Sequence, residues 1–293
     1  CRAVNAIDAS NLRTQRNSSA AMADVAKLAG DMKKAKIDTS KITVADDDDV
    51  LPCAANSPEE AEALAAMIEA LPSDFRRSQA LPSESLMLKC LRGRKYDVPR
   101  AAETLQSLLK LKSELEMGDP KHREQLLYDL GSGKVTNPGS KDEVGRSLIW
   151  LRLRNHDKSK SGPQDMGRAV ATVMLNACED VDTQRMGIVL LNDLSGIQLK
   201  NIHPPTAKFI LGEVLPTLPI RLQRFVLYNP PWFVANVLLP IVTVFMSAKV
   251  KSRLHICKTR EELHAAINPS MLPEELGGTQ PFDLESWAAK VSK

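Results

Sequence analysis

The chain has 293 residues, enough for one large domain or two modest ones. Its composition, 43% hydrophobic and 26% charged, is that of a globular protein with a sizeable core. The net charge of +3 gives no argument for nucleic-acid binding. The five cysteines include no Cys-x-x-Cys pair, which argues against a disulfide framework and indicates a reducing compartment. The five scattered histidines have no metal-ligand spacing.

Residues 1–56 are predicted to form a disordered N-terminal extension. The stretch MADVAKLAG resembles a natural start at Met22, so residues 1–21 are left out of the fold prediction. The following segment contains KKAK and the acidic run Asp46–Asp49. Charge blocks of this kind are usually solvated, which favours a linker up to residue 56.

Residues 57–130 are predicted to form a small all-helical unit. Ser57 can cap a first helix, and Pro58 suits its first position. A second helix is expected to begin near Ser83, and a third follows Pro99, where leucines recur close to an i, i+3, i+4 pattern.

Residues 131–280 change character, because short β-like runs alternate with helical ones. The runs RSLIWLRLR, GIVLLND, RFVLYN and RLHIC predict strands, with helices between them. This order implies an α/β domain with a mixed or parallel sheet covered by helices, followed by a C-terminal tail over residues 281–293. The GSGK stretch fails as a phosphate loop, because Tyr128 stands where the first Gly is required and Val135 where Ser or Thr is required.

The segment from Trp232 to Met246 has no charged residue. It has fifteen residues, including Asn236 and Pro240, whereas a membrane span needs about 20 apolar ones. A buried or interfacial helix is therefore expected, begun at Asn229-Pro230-Pro231 and kinked at Pro240.

The chain contains six stretches in this order: LKCLRGRKYDVPRAAETL, GRSLIWLR, DTQRMGIVLLNDLSGI, LPIRLQRFVLYNPPWF, KVKSRLHIC and LPEELGG. Together they resemble the CRAL-TRIO (Sec14-like) lipid-binding family. The resemblance covers residues 57–278, and these stretches are most similar to those of the tocopherol- and retinal-binding branch. It implies a CRAL-TRIO-N helical unit, and a lipid pocket that is floored by the sheet and closed by a mobile helical gate.

The resemblance also implies residues that line the pocket. These are Val170, Met174, Ile188, Asn192, Val214, Leu218, Ile220, Leu222 and Phe225. In a strand, Ile188, Leu190 and Asn192 share one face, which places an amide on an apolar wall. A buried amide needs a partner, and a ligand hydroxyl or head group, a backbone group or a water could provide it.

The gate would face the pocket through five apolar side chains of the uncharged segment. These are Trp232, Phe233, Leu238, Val242 and Phe245. The residues alone favour a fixed core helix broken by Pro240, whereas the surrounding family motifs favour a moving gate.

A phosphoinositide-binding or membrane-binding patch is implied at Arg94, Arg221, Lys249 and Arg253. Gln223 replaces one basic residue of that pattern, which weakens the patch. The alternative is a solvated charged face without this role. Ile220 stands where the yeast Sec14 type has a Glu, which favours a tocopherol-, retinoid- or sterol-like ligand over phosphatidylinositol.

The expected function is that of a cytoplasmic, peripherally membrane-associated monomer that binds one hydrophobic lipid and exchanges it at anionic membranes. No cofactor besides the lipid, no nucleic acid and no enzymatic activity are expected. Asp193 and His203 are the one tempting catalytic pair, and Asp193 fits a structural role after its strand better. The alternative is a lipid-sensing regulatory module that acts through a protein partner.

Overall fold

A five-stranded sheet forms the centre of the fold in a computed structural model that describes residues 22–44, 51–73, 75, 81–244 and 246–292. The strands follow one another in space in chain order. The first pair is antiparallel and the other pairs are parallel, so of the predicted alternatives, a mixed or a parallel sheet, the sheet is mixed. The strands are β1 (Val135–Thr136), β2 (Ser147–Arg152), β3 (Ile188–Asp193), β4 (Leu222–Tyr228) and β5 (Leu254–Cys257).

The helices before the sheet include the three that the sequence predicts. Ser57 accepts a hydrogen bond from the Glu60 N–H, and Ser83 accepts one from the Leu86 N–H, as caps of consecutive helices. The helices of this part are α1 (residues 22–35), α2 (Pro58–Ala70), α3 (Glu84–Gly93), α4 (Val98–Glu114) and α5 (Arg123–Gly131).

The N-terminal segment, residues 22–44, differs from the predicted disordered extension. It begins with α1, whose Val25 and Met32 side chains are buried. The chain then reaches the sheet, where the Thr43 carbonyl accepts a hydrogen bond of 2.8 Å from the Leu222 N–H. Charge patterning missed this segment, because its few apolar residues are spread among lysines and aspartates. Residues 1–21, and part of the predicted linker, lie outside the described residues.

The remaining helices cover the sheet and end the chain. The uncharged segment forms a helix over residues 232–244, called the gate helix below, with a π-helical part (Val234–Leu238) and an α-helical part (Leu239–Val244). The predicted C-terminal tail contains a helix whose Ala288 joins the main core. The other α-helices are α6 (Pro163–Ala177), α7 (Val181–Met186), α8 (Pro204–Phe209, continued by a π-helical segment, Ile210–Val214, and a last turn, Leu215–Thr217), α9 (Ala248–Ser252), α10 (Arg260–Ala266) and α11 (Leu284–Val291).

The two faces of the sheet belong to different apolar cores. Leu190 and Phe225 face the larger core, which includes α6, α8 and the gate helix. Val189 and Val226 face a smaller core against α10 and the segment after it. This alternation along β3 and β4 is the period-two pattern of strands buried on both faces.

A buried ion pair joins the helical unit to the sheet domain. The Arg92 guanidinium donates two hydrogen bonds of 2.7 Å to the Glu60 carboxylate and a third of 2.7 Å to Gln184 of α7. The Tyr96 hydroxyl donates to the same carboxylate at 2.6 Å. Burial raises the pKa of Glu60, but the bonds from Arg92 and Tyr96 outweigh it and lower that pKa to about 2.

Gly187 turns the chain from α7 into β3 with a φ of 89° and a ψ of −164°. A Cβ atom there would lie 2.4 Å from the carbonyl oxygen of Arg221. We expect Gly187→Ala to lower the free energy of unfolding by about 3 kcal/mol or more, because backbone strain and a clash with backbone add. Urea unfolding measures this change.

Gly139→Ala is the matched control for that substitution. Gly139 also has a positive φ, 82°, but a Cβ atom there would have no neighbour within 4 Å. The expected cost is therefore about 1–2 kcal/mol, from backbone conformation alone. Equal losses in the two variants would show that contact with the Arg221 carbonyl contributes nothing.

Candidate functional site

A partly open cavity of about 140 Å³ lies between the sheet and the helices α6 and α8. Residues of β2, β3 and β4 form one wall, and no Lys, Arg, Asp or Glu belongs to its lining in the described part of the chain. The apolar lining consists of Leu151, Leu153, Met166, Val170, Met174, Leu190, Ile202, Ala207, Ile210, Leu211, Leu215 and Phe225. The polar lining consists of His156, Asn192, Asn201, His203 and Thr206.

Four of the nine residues predicted for the pocket line this cavity: Val170, Met174, Asn192 and Phe225. The other five are buried in the same core without lining it. These are Ile188, Val214, Leu218, Ile220 and Leu222.

Sequence reasoning missed the wall that α8 provides. Ala207, Ile210 and Leu211 line the cavity together with Leu215. Their spacing of three and four residues in PPTAKFILGEVL was the signal that could have identified them. His156 lies in an irregular loop after β2, so no periodic pattern marks it.

The polar lining lies near the carboxyl ends of two neighbouring parallel strands. Asn192 is the residue before the end of β3, and His156 follows the end of β2 by four residues. The Asn201 amide donates hydrogen bonds to the carbonyl oxygens of His156, at 3.0 Å, and Arg154, at 3.1 Å. Asn201 therefore fixes the loop that carries His156.

Two side chains of this polar lining carry buried atoms without a hydrogen-bond partner among the described residues. Both ring nitrogens of His156 and the Oδ1 atom of Asn192 are in this state. Burial and the nearby charge of Lys134 lower the pKa of His156 to about 4. The imidazole is therefore neutral at neutral pH, with one donor and one acceptor nitrogen.

Asp193 and His203 have separate structural partners. The Asp193 carboxylate accepts hydrogen bonds from Arg154, at 2.5 Å, and from the Ser195 N–H, at 2.9 Å. The Nδ1 atom of His203 lies 2.8 Å from the Thr206 hydroxyl. Within the described residues, no group of three or more His, Cys, Asp or Glu could hold a metal ion.

The gate helix packs on the larger core, and its described residues do not line the cavity. Leu238 is buried, and Phe233 and Val242 are partly buried against the core. Trp232, however, is 59% exposed, so it faces away from the predicted pocket. Phe245 lies outside the described residues.

The gate helix contains a π-helical segment that ends two residues before Pro240. Proline has no N–H to donate to the Asn236 carbonyl, and its ring crowds that carbonyl. The Leu239 N–H bonds instead to Val234, five residues back. Among the described helices, none is long and apolar enough to cross a membrane.

Asn229 differs from the expected helix cap. Its φ is 48°, in the left-handed region, and its N–H donates to the Cys257 carbonyl at 2.7 Å. Asn229 therefore ties the end of β4 to β5, while the Pro231 carbonyl accepts the first N–H groups of the gate helix.

The four predicted basic residues do not form one surface patch. Arg94 is buried and donates to the carbonyl oxygens of Pro216, at 3.1 Å, and Leu218, at 3.2 Å. Arg221 is also buried, and its guanidinium donates to the Arg185 carbonyl. Both side chains therefore hold backbone in the interior of this structure, and the membrane role given to them stays a prediction.

Lys249 and Arg253 lie on and directly after α9, next to the gate helix. Lys249 is exposed, as is Lys251, and Arg253 is half-buried. Gln223 is buried at a register shift between β3 and β4, rather than on a surface with these residues.

The N-terminal segment contacts the chain at the end of the gate helix. The Ser247 N–H donates a hydrogen bond of 2.9 Å to the hydroxyl of Thr39, which is buried. One segment therefore contacts both the start of β4 and the residues that follow the gate helix.

The family model of the CRAL/TRIO domain matches residues 130–278 of this chain. The human tyrosine-protein phosphatase non-receptor type 9 is 29% identical over 234 residues, which are 79% of this chain and 39% of that protein. Clavesin-1 of Xenopus laevis is 27% identical over 217 residues, 70% of this chain and 64% of that protein. The chain thus spans about two-fifths of the phosphatase.

The solved structure of Sfh5 aligns with a TM-score of 0.47 and 13% identity, covering 73% of this chain and 85% of that one. These relatives are not tocopherol- or retinal-binding proteins by name, so the assignment to that branch stays a prediction.

Proposed function

The chain belongs to the CRAL/TRIO family, and from this premise we propose that it holds one small hydrophobic lipid in the cavity and exchanges it at membrane surfaces. The observation that carries the proposal is the mostly apolar cavity on the larger-core face of the sheet, which no charged side chain of the described residues lines. Burying roughly 400 Å² of lipid surface there would contribute about 10 kcal/mol of gross transfer free energy.

The cavity must enlarge when a lipid enters. A cavity of about 150 Å³ holds a single benzene ring, and this one measures about 140 Å³. A lipid is several times larger, so a wall has to move. The gate helix does not line the cavity, but it packs on the same core, so its displacement is the candidate movement that would enlarge the cavity. A π-helical segment and Pro240 interrupt its regular hydrogen bonding.

The gate helix also offers apolar side chains to the surroundings. Trp232 is 59% exposed and Val244 is 72% exposed, at opposite ends of the helix. Exposed apolar side chains next to lysines suit the interface of an anionic membrane. We therefore place the membrane contact at the gate helix and α9, with Lys249 and Arg253 retained from the predicted basic set.

Transfer of a fluorescent lipid from donor to acceptor vesicles tests the proposal, with the acceptor vesicles containing phosphatidylserine. We expect Lys249→Ala with Lys251→Ala to weaken binding to these vesicles by about 30-fold, because each cation contributes about 1 kcal/mol near an anionic surface. Lipid loading in detergent should not change, since neither side chain reaches the cavity.

Lys110→Ala with Lys112→Ala is the matched control, because it removes the same charge at the same spacing from α4. Equal weakening by the two pairs would mean that net charge, rather than the α9 surface, determines membrane binding. Wild-type protein that moves no lipid would contradict the exchange proposal.

A lipid-sensing module that acts through a protein partner is the second candidate. The phosphatase relative supports it, because there the matching region is 39% of a protein named for another activity. Lipid loading without transfer between vesicles, together with recovery of one stoichiometric protein partner, would favour this function.

A further inference from the structure

The segment that follows α1 joins several elements that cover the larger core. It comprises residues 36–44 and is called the strap below. Its inward side chains are Ile37, Thr39 and Ile42, each no more than 6% exposed, and the two isoleucines belong to the larger core. Asp38 and Ser40 are exposed. The strap is thus held by a few inward side chains, and segments with so few buried contacts open at a low free energy.

The strap contacts α8, β4 and the chain that follows the gate helix. A Cβ atom at Gly212 would lie 3.8 Å from the Asp38 carbonyl oxygen, so the π-helical continuation of α8 passes beside the strap. Val44 forms an isolated parallel bridge with Leu222 at the start of β4. Because α8 lines the cavity, these two contacts join a wall of the cavity to the sheet through the strap.

The third contact of the strap lies where the gate helix meets α9. The gate helix ends at Val244 and α9 begins at Ala248, so the N–H of Ser247 lies outside both helices. The hydroxyl of Thr39, a residue that is 1% exposed, accepts a hydrogen bond of 2.9 Å from this N–H. Displacement of the gate helix away from the strap would leave both groups unpaired, which costs free energy. The strap therefore opposes this displacement.

We propose that the strap is a latch that holds the gate helix against the larger core, and that the gate helix moves away only after Thr39 has released Ser247. The latch regulates access to the cavity, so its effect on lipid exchange rests on the proposed function. Its hold on the gate helix, in contrast, is a property of the protein chain alone. Protein without lipid is therefore sufficient to test the latch.

Amide hydrogen exchange of the full chain without lipid tests this proposal through Thr39→Val. The substitution keeps the branched shape of the side chain but removes the oxygen that accepts from Ser247. We expect amide exchange in the gate helix and α9 to become about fivefold faster, because the closed state loses one hydrogen bond. Amide exchange in α4, which the strap does not latch, should not change.

Thr43→Val is the matched control, because it makes the same replacement within the strap. The Thr43 hydroxyl is buried and has no hydrogen-bond partner among the described residues, so its removal should leave exchange in the gate helix unchanged. Transfer of a fluorescent lipid between phosphatidylserine-containing vesicles is then measured for the same proteins. Thr39→Val should transfer lipid faster than the wild type, and Thr43→Val should transfer it at the wild-type rate.

The outcomes separate the latch from the proposed function. The latch would be overturned if Thr39→Val left exchange in the gate helix unchanged, if Thr43→Val accelerated it equally, or if the acceleration extended equally to α4. Selectively faster exchange in the gate helix of Thr39→Val, in a protein that moves no lipid, would support the latch and overturn the proposed function alone.

Discussion

Replacing Ala207 by Trp is expected to abolish lipid binding, with a loss of about 100-fold or more. Ala207 lies on α8 and lines the cavity. An indole ring is larger than the benzene ring that a cavity of about 150 Å³ accommodates, so it would occupy nearly all of the space present. Filling a cavity with an apolar ring should preserve or raise the free energy of unfolding.

Lys208→Trp is the control for this substitution, because it adds the same ring to the next residue of α8, which is exposed. Lipid affinity is measured by titration, and thermal unfolding verifies that each variant is folded. Ala207→Phe provides a smaller substitution if the indole strains the helix. A folded Ala207→Trp protein that binds lipid as well as the wild type would show that the ligand lies elsewhere.

Replacing Arg92 by Met is expected to lower the free energy of unfolding by about 3–5 kcal/mol, because it leaves the Glu60 carboxylate buried without its counter-charge. The two side chains are only 5% and 3% exposed. The substitution also removes the hydrogen bond to Gln184. The helical unit would therefore lose one of its connections to α7.

Urea unfolding measures this loss, and the exposed pair of Lys110 and Glu114 provides the control. Their side chains are 77% and 58% exposed with 3.7 Å between the charged atoms, so Lys110→Met should cost less than about 1 kcal/mol. Similar losses for Arg92→Met and Lys110→Met would contradict the structural role given to the buried pair.

Glu60 makes the free energy of unfolding of the wild type depend on pH, and the direction of this dependence follows from its pKa. Its pKa is about 2 in the folded protein, below its usual value of 4.5. The stabilisation is therefore complete above pH 4.5 and is lost as the pH falls towards 2, where the folded carboxylate takes up its proton. Glu60→Gln should show a weaker dependence on pH over this window.

The fold was largely predictable, because its strands and helices carry strong local signals. Alternation along β3 places Ile188, Leu190 and Asn192 on one face of the sheet, as predicted. The first two of the predicted helices are capped by Ser57 and Ser83. Helix α1 was missed although Val25, Leu28 and Met32 have helical spacing, because the surrounding charges were interpreted as a linker.

The site was only partly predictable, because several of its features depend on tertiary contacts. Asn192 was identified on the apolar wall by alternation alone. In contrast, burial of Arg94 depends on carbonyl groups more than 120 residues away in the chain. The exposure of Trp232 likewise depends on how the gate helix packs, which its uniform apolarity does not determine.

Native mass spectrometry of the full chain, purified from its own cells without detergent, tests the central claim most directly. The account predicts a complex of one protein with one bound lipid. The Ala207→Trp variant, purified in the same way, should be empty. Wild-type protein that is empty and takes up nothing from a lipid extract would contradict the claim that this cavity binds a lipid.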